Sequence, residues 1–203
     1  MKQTLYPKTI RVCLEKFQIT EKLDGSNLGF FKYDGKLFIA QRNNIYSLEE
    51  IPTLSKDDLY GGLFGWLKEF GDKLEEVLYE GACIFGEWLG MHNKYNFENK
   101  YYMFAKANIN FHINSTWSID NLYYDRNLFI YPFKEQEIPD FISIVPLVAE
   151  VSEISIDELN KIYNHYKDIV VQRNVEGFIV IYNKDLIKKY VRMKSGKLEE
   201  HFW

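Results

Sequence analysis

The chain has 203 residues, of which 46% are hydrophobic, 17% aromatic and 27% charged, and its formal net charge is −4. This composition is typical of a globular domain of ordinary size and excludes a disordered or fibrous chain. The negative charge excludes a protein that coats nucleic acid through an overall positive field, so a nucleic-acid partner would bind at a local site.

The first half of the chain predicts a hairpin followed by a helix. Residues 28–42, LGFFKYDGKLFIAQR, read as two short strands joined at Asp34-Gly35, a dipeptide that supplies the positive φ angles of a tight turn. Residues 62–79 predict a core-facing helix, for which Gly81 offers a stop. Its apolar face would consist of Leu63, Trp66, Leu67, Phe70, Leu74 and Leu78.

Two strands and a second helix are predicted further along the chain. The strands are CIFGEWLG at 83–90 and YYMFAKANINF at 101–111, and residues 114–150 are interpreted as an irregular excursion. Ser155 and Glu158 form an S-x-x-E capping box, which predicts a helix N-terminus. The apolar face of that helix would be Leu159, Ile162, Tyr163, Tyr166 and Ile169.

The closing segments complete the prediction of fold class. EGFIVIYN at 176–183 and KKYVRMKSG at 188–196 predict two more strands. Strands thus outnumber helices and several are joined as hairpins, so we expect an α+β fold with antiparallel sheets flanked by helices. No repeat, low-complexity tract or linker marks a boundary, and we expect a single domain over residues 1–203.

Localisation and redox chemistry follow from what the sequence lacks. No stretch approaches the ~20 apolar residues of a membrane span and no secretory signal is evident, so we expect a cytoplasmic protein with no membrane partner. Cys13 and Cys83 lie far apart without neighbouring ligands, which predicts neither a disulfide framework nor a zinc site.

Six charged residues are not explained by a strand-rich core. They are Lys22, Asp24, Glu87, Glu176, Arg192 and Lys194. Lys22 and Asp24 are two positions apart, and so are Arg192 and Lys194. An extended backbone would place the members of each pair on one strand face. Two carboxylates with several cations are what a nucleoside triphosphate and a divalent cation require. Ordinary surface charges and salt bridges on exposed strand faces are the alternative.

The order of these residues resembles the motifs of the covalent nucleotidyltransferases, the superfamily of ATP-dependent DNA and RNA ligases and mRNA capping enzymes. EKLDGSN at 21–27 resembles the K-x-D-G signature. The later motifs follow in the family's order as AQRNN at 40–44, FGEWLG at 85–90, YYMFAKANI at 101–109, VEGFIVIY at 175–182 and YVRMKSGK at 190–197. The resemblance implies a nucleotidyltransferase domain, the ATP-grasp-like ligase adenylation domain, with no evident C-terminal OB or helical domain.

The resemblance also implies which residues bind the nucleotide. Glu21 would lie beside the adenine and Phe104 would stack on it. Asn27 and Arg42 would lie near the ribose and phosphates, and Asp24 belongs to the same nucleotide-binding set. Phe104 is followed by Ala105-Lys106, where the family usually has an acidic residue.

Catalysis and metal binding are implied for the remaining motif residues. Lys22 would be the nucleophile that takes AMP from ATP, with Arg192 and Lys194 as a clamp on the phosphates. Glu176 would bind Mg²⁺ or Mn²⁺, and Glu87 would hold the ribose or a metal-bound water. A free lysine has a pKa near ~10.4, so neighbouring cations and partial burial would have to lower it before the amine can attack.

The implied activity is ATP-dependent ligation of RNA. Asn27 stands where DNA ligases and capping enzymes usually have arginine, which resembles the T4 RNA ligase 2 and RNA-editing ligase type. The expected partners are ATP and RNA with 5′-phosphate and 3′-hydroxyl ends, in a nicked duplex or tRNA-like substrate. Only nine residues follow Lys194, so a partner protein is a candidate source of the usual C-terminal module.

Two other functions and two interpretations of a basic segment stay open. The chain could transfer adenylyl or guanylyl groups to another acceptor, or bind nucleotides or RNA ends without catalysis. Residues 184–197 concentrate six cations, which predicts either a phosphate-lined groove or a solvated edge strand protected by lysines.

Overall fold

The structure is a computed structural model that describes residues 16–90, 97–124, 132–135, 137–173, 175–182, 186–192 and 196–200. The strands in these ranges are β1 (Phe17–Leu23), β2 (Ser26–Tyr33), β3 (Lys36–Ala40), β4 (Ile45–Ser47), β5 (Ala82–Trp88), β6 (Tyr101–His112), β7 (Thr116–Tyr123), β8 (Ser143–Ile144), β9 (Leu147–Val151), β10 (Val175–Tyr182), β11 (Leu186–Arg192) and β12 (Leu198–Glu200). The helices are α1 (Leu63–Val77) and α2 (Ile156–Arg173), with a 3-10 helix at Leu48–Thr53.

The chain divides into two compact units, and each is built on its own sheet. The described residues of the first unit lie within 25–90 and 98–144, and those of the second within 16–24, 97 and 145–200. The first sheet has the order β4-β3-β2-β5-β6-β7 with β8 beside β6, and the second the order β12-β11-β10-β1-β9. The pairings are antiparallel except between β6 and β8, which confirms the predicted α+β class.

The predicted hairpin and first helix of the first unit are confirmed. Asp34 and Gly35 take φ angles of 50° and 72° between β2 and β3. Along α1 the side chains of Leu63, Trp66, Leu67 and Leu74 are buried against the sheet. The helix does not use Gly81 as its stop, because it already ends at Val77, and the extended residue after it, Leu78, donates its N–H to Leu74 O at 3.1 Å.

Leu74 offers a test of this core. Its side chain is fully buried in the cluster between α1 and the sheet. We expect Leu74→Ala to lower the free energy of unfolding by about 2–5 kcal/mol, because a large-to-small change leaves a cavity. Urea denaturation measures this, with the exposed Glu69→Ala of the same helix as the control. Equal midpoints for the two variants would contradict the placement of Leu74.

The second unit packs α2 on one face of its sheet. The Ser155 hydroxyl accepts the N–H of Glu158 at 3.1 Å, which confirms the predicted N-terminal cap. Leu159 and Tyr163 are buried as predicted. Ile169 is wrong as a core residue, since 45% of it is exposed to solvent.

The interpretation of residues 114–150 as irregular was wrong for residues 116–123, 143–144 and 147–150, which lie in β7, β8 and β9. Residues 116–123 form β7, which pairs with β6, and the pairs Trp117 with Phe111 and Ile119 with Ile109 are adjacent on one face. Polar side chains on the other face of this edge strand disguise the alternation. The closing strands β10 and β11 are confirmed, and β12 follows them. In the described part of the chain, no helix has the length and apolar character to cross a membrane.

Candidate functional site

Lys22 lies near the end of β1, between β9 and β10 in the sheet of the second unit. Because side chains alternate along a strand, Lys22 shares a face with Thr20 and lies opposite to Glu21. The Lys22 side chain is 22% exposed, and its Nζ forms an ion pair with Oε2 of Glu176. The predicted nucleophile is therefore half-buried, reachable and in contact with a predicted metal ligand.

A β-bulge places Glu176 beside Lys22. Lys22 pairs with Gly177 and Leu23 pairs with Val175, so Glu176 is the extra residue on β10. A bulge redirects a side chain out of the regular alternation and is frequent next to active sites. The Glu176 carboxylate, 34% exposed, thereby reaches the Lys22 ammonium across the strand.

Gly177 allows β11 to pass close to the bulge. A Cβ at this position would lie 3.0 Å from Val191 Cα and would also overlap the Tyr190 carbonyl. Backbone atoms cannot give way as a flexible side chain can, so only glycine fits here. The glycine after Glu176 in the motif is thus explained by strand packing.

Glu21 directs its carboxylate to the other side of the sheet from Lys22. The side chain is buried and accepts a hydrogen bond from the Tyr166 hydroxyl of α2 at 2.9 Å. The Glu21 backbone N–H donates to Pro146 O at 3.0 Å. The role predicted for Glu21 beside adenine stays a prediction.

Asp24 does not continue the strand. β1 ends at Leu23 and its register shifts between Lys22 and Leu23, so the shared strand face predicted for Lys22 and Asp24 is wrong. That prediction assumed an extended backbone through all three residues. Asp24 is half-buried at the point where the chain turns toward β2.

The first unit brings Glu87 together with the start of β2. Glu87 lies opposite Asn27 in the β2–β5 ladder, and its Oε1 accepts the N–H of Gly25 at 3.1 Å. A Cβ on Gly25 would lie 2.9 Å from Glu87 Cγ and 2.8 Å from Leu89 Cδ2. The glycine of K-x-D-G is therefore needed for the close approach to Glu87.

A second bulge carries Phe104. Phe85 pairs with Ala105 and Gly86 pairs with Met103, so Phe104 is the extra residue of β6. Its side chain is half-buried. A Cβ on Gly86 would lie 2.6 Å from the Tyr102 carbonyl, so the backbone opposite the bulge also requires glycine.

The predicted phosphate-binding cations are only partly described. Arg42 is exposed in the turn after β3, which the Gln41 N–H closes by donating to Asn44 O at 2.8 Å. Arg192 is the last residue of β11 and pairs with Leu198. Lys194 lies outside the described residues.

Within the basic segment, Lys188 is neutralised by β12. Its Nζ lies 3.0 Å from Oε1 of Glu200, and the hydrogen bond to Glu200 raises the pKa of Lys188. Neither interpretation of the basic segment predicted this ion pair within the sheet. In addition, β11 is not an edge strand at Tyr190, Val191 and Arg192, because these residues pair with β12.

The comparison with protein families decides the family. The sequence model of the RNA ligases matches residues 15–195. The chain belongs to the RNA ligase family. Each residue assigned to the candidate site lies within the matched range.

Other comparisons add little to this assignment. Among solved structures, a protein of Aquifex aeolicus that carries the provisional name of an ATP-dependent DNA ligase matches with a TM-score of 0.43 and 13% identity. The match covers 96% of this chain and 48% of that protein, so the chain spans about half of its length. Similarity at this level carries no conclusion about function. The comparison with curated proteins gives no significant match.

The donor set of this RNA ligase family member suits a hard cation held jointly with a substrate. In the described ranges, no three His, Cys, Asp or Glu side chains come together so that they could hold a metal ion. Mg²⁺ commonly binds one or two carboxylates together with substrate phosphates and water. The partly exposed carboxylate of Glu176 fits that pattern.

Tyr166 is a residue that the sequence assigned to the core rather than to the site. Its helical spacing correctly indicated the face of α2 that meets the sheet. The contact of its hydroxyl with Glu21 spans 145 positions of sequence, and no local pattern indicates it.

Proposed function

We propose that this chain is an ATP-dependent RNA ligase of the T4 RNA ligase 2 and RNA-editing ligase type, which forms a lysyl-AMP intermediate on Lys22. The observation that supports it most is the contact between Lys22 and Glu176 at a β-bulge. A partly exposed lysine beside a carboxylate supplies a nucleophile and a candidate metal ligand in one place. Membership of the RNA ligase family supports the same activity.

The proposed first step is transfer of AMP to the protein. The unprotonated Nζ of Lys22 attacks the α-phosphorus of ATP, a P–N bond forms, the bond to the β-phosphate oxygen breaks, and pyrophosphate leaves. The amine proton passes to solvent. Lys22 can attack only after its contact with Glu176 is released, because a lysine paired with a carboxylate is held as an ammonium ion.

Other residues are proposed to bind and orient ATP. Phe104 stacks on the base, and Asn27 and Arg42 bind the ribose and phosphates, with Glu21 and Asp24 nearby. Arg192 and Lys194 hold the phosphates and stabilise the charge that develops on pyrophosphate.

Metal binding is proposed for two carboxylates. Glu176 would hold Mg²⁺ or Mn²⁺, and Glu87 would hold the ribose or a metal-bound water. When bound, the cation neutralises phosphate charge. The chain supplies the carboxylate of Glu176 from β10 and that of Glu87 from β5.

The next two steps act on RNA. AMP passes from Lys22 to a 5′-phosphate, and a 3′-hydroxyl then displaces AMP to close the strand. The proposed substrate is a nicked duplex or tRNA-like RNA. A partner protein is proposed to help bind this RNA. Positioning and electrostatics would supply most of the rate, since each step exchanges one phosphate linkage for another.

The test of the proposal is labelling of the purified chain. The chain is incubated with α-labelled ATP or GTP and either Mg²⁺ or Mn²⁺, then denatured and examined for bound label. We expect label from ATP to stay on the protein after denaturation. When a 5′-phosphorylated nicked RNA duplex is added as a chase before denaturation, the label should move to the RNA. Label from GTP alone would indicate guanylyl transfer, and no label under any condition would leave a non-catalytic binding module.

A further inference from the structure

We infer that Tyr166 is a positioning residue for Lys22, which acts by holding the neighbouring Glu21 on the α2 side of β1. The inference rests on the proposed function, because it concerns the orientation of Lys22, the proposed nucleophile. The proposed role of Tyr166 involves no contact with the substrate or the reacting atoms. Its effect passes through the backbone that Glu21 and Lys22 share.

The first support is the burial of Glu21. Its side chain is 1% exposed, in the middle of a strand whose neighbours Ile19 and Leu23 on the same face are buried and apolar. A buried carboxylate is costly unless hydrogen bonds compensate it. The Tyr166 hydroxyl supplies such a bond at 2.9 Å.

The second support is the weakness of the β ladder at this point. Pairing of β1 with β9 ends at Thr20, and beyond it the Glu21 N–H donates to Pro146 O. On the other side, the ladder with β10 is broken by the bulge between Lys22 and Leu23. At Lys22, regular pairing therefore persists on one side only, with Gly177 of β10, and it ends at the bulge directly after this pair.

The third support is the rigid placement of Tyr166. Its ring and that of Tyr163 both meet Phe178 edge-on, with centroids 6.2 Å and 5.9 Å away. Phe178 is fully buried and is the direct cross-strand partner of Glu21. The hydroxyl of Tyr166 thus meets Glu21 from a packed position, and Lys22 is turned to the opposite face.

The test compares Tyr166→Phe with Tyr163→Phe. Both changes remove one hydroxyl and keep a ring against Phe178, but only the first removes the bond to Glu21. We expect Tyr166→Phe to slow lysyl-AMP formation in single turnover at saturating ATP by about 10- to 100-fold, since misplacement of a reacting group lowers the rate even when the substrate is bound. Tyr163→Phe should leave the rate unchanged.

A double-mutant comparison tests whether Tyr166 acts through Glu21. In a Glu21→Leu background the Tyr166→Phe change should have no further effect, because the bond is already lost. If Glu21→Leu does not fold, as judged by thermal unfolding, the comparison of the two tyrosine variants decides alone. Equal rates for these two variants would overturn the inference.

A second readout separates this inference from the proposed function. The rate at which an amine-acylating reagent modifies Lys22 is measured by peptide mass spectrometry without ATP. We expect it to rise in Tyr166→Phe, because the backbone that Glu21 and Lys22 share is then less restrained and the amine is more accessible to the reagent, and to stay constant in Tyr163→Phe. Wild-type protein that takes no label contradicts the proposed function, whereas unchanged acylation of Lys22 in Tyr166→Phe contradicts the positioning role.

Discussion

Lys22→Ala is expected to abolish the transfer of label from α-labelled ATP to the protein, a loss of at least about 10³-fold in the rate of lysyl-AMP formation. The physical reason is that alanine has no nitrogen with which to form the P–N bond. Denaturing electrophoresis of the labelled protein measures the loss. Lys22 is partly exposed at a strand end, so the fold should survive the change.

Two further variants make this result specific. Lys22→Arg keeps a cation that can pair with Glu176, but the guanidinium stays charged and is not a nucleophile. This variant should take no label, and its midpoint temperature of thermal unfolding should equal that of the wild type. Lys161→Ala removes an exposed lysine from α2 of the same unit and should label normally. Label that persists in Lys22→Ala would show that another residue accepts AMP.

Local patterns predicted those parts of the fold that depend on local interactions. The positive φ angles of Asp34 and Gly35 are intrinsic to that dipeptide and turn. The buried stripe of α1 follows from the helical period, which needs only one apolar partner surface. Lys22 was found as a candidate through the order of the motifs, and the structure adds its contact with Glu176.

The geometry of the site depends on register between strands, which local patterns do not contain. Glu176 and Phe104 are each the extra residue of a bulge, and a bulge exists only relative to its partner strand. The same limit explains Asp24, because the end of β1 is set by its pairing with β10. It also explains β7, whose strand character emerges from pairing with β6.

Glu176→Gln is expected to reduce the rate of lysyl-AMP formation by about 10²-fold or more, the size of effect seen when one electrostatic contact in an active site is removed. Glutamine keeps the length and one oxygen of the side chain but loses the negative charge. It can still accept a hydrogen bond from Lys22, so the orientation of the lysine is retained. The negative charge that would bind a divalent cation is lost.

The metal dependence of this variant separates two roles for Glu176. If the carboxylate binds the cation, Glu176→Gln requires a higher Mg²⁺ concentration for half-maximal labelling, and Glu176→Ala behaves alike. If it only orients Lys22, the glutamine variant keeps the wild-type Mg²⁺ dependence and much of the rate, whereas the alanine variant loses rate at every Mg²⁺ concentration. Glu199→Gln, an exposed change on β12 of the same unit, controls for a general effect of lost negative charge. Wild-type rate and Mg²⁺ dependence in Glu176→Gln would contradict the metal-binding role, and the contact with Lys22 would then be a structural ion pair, which can form at a partly exposed site without contributing to catalysis.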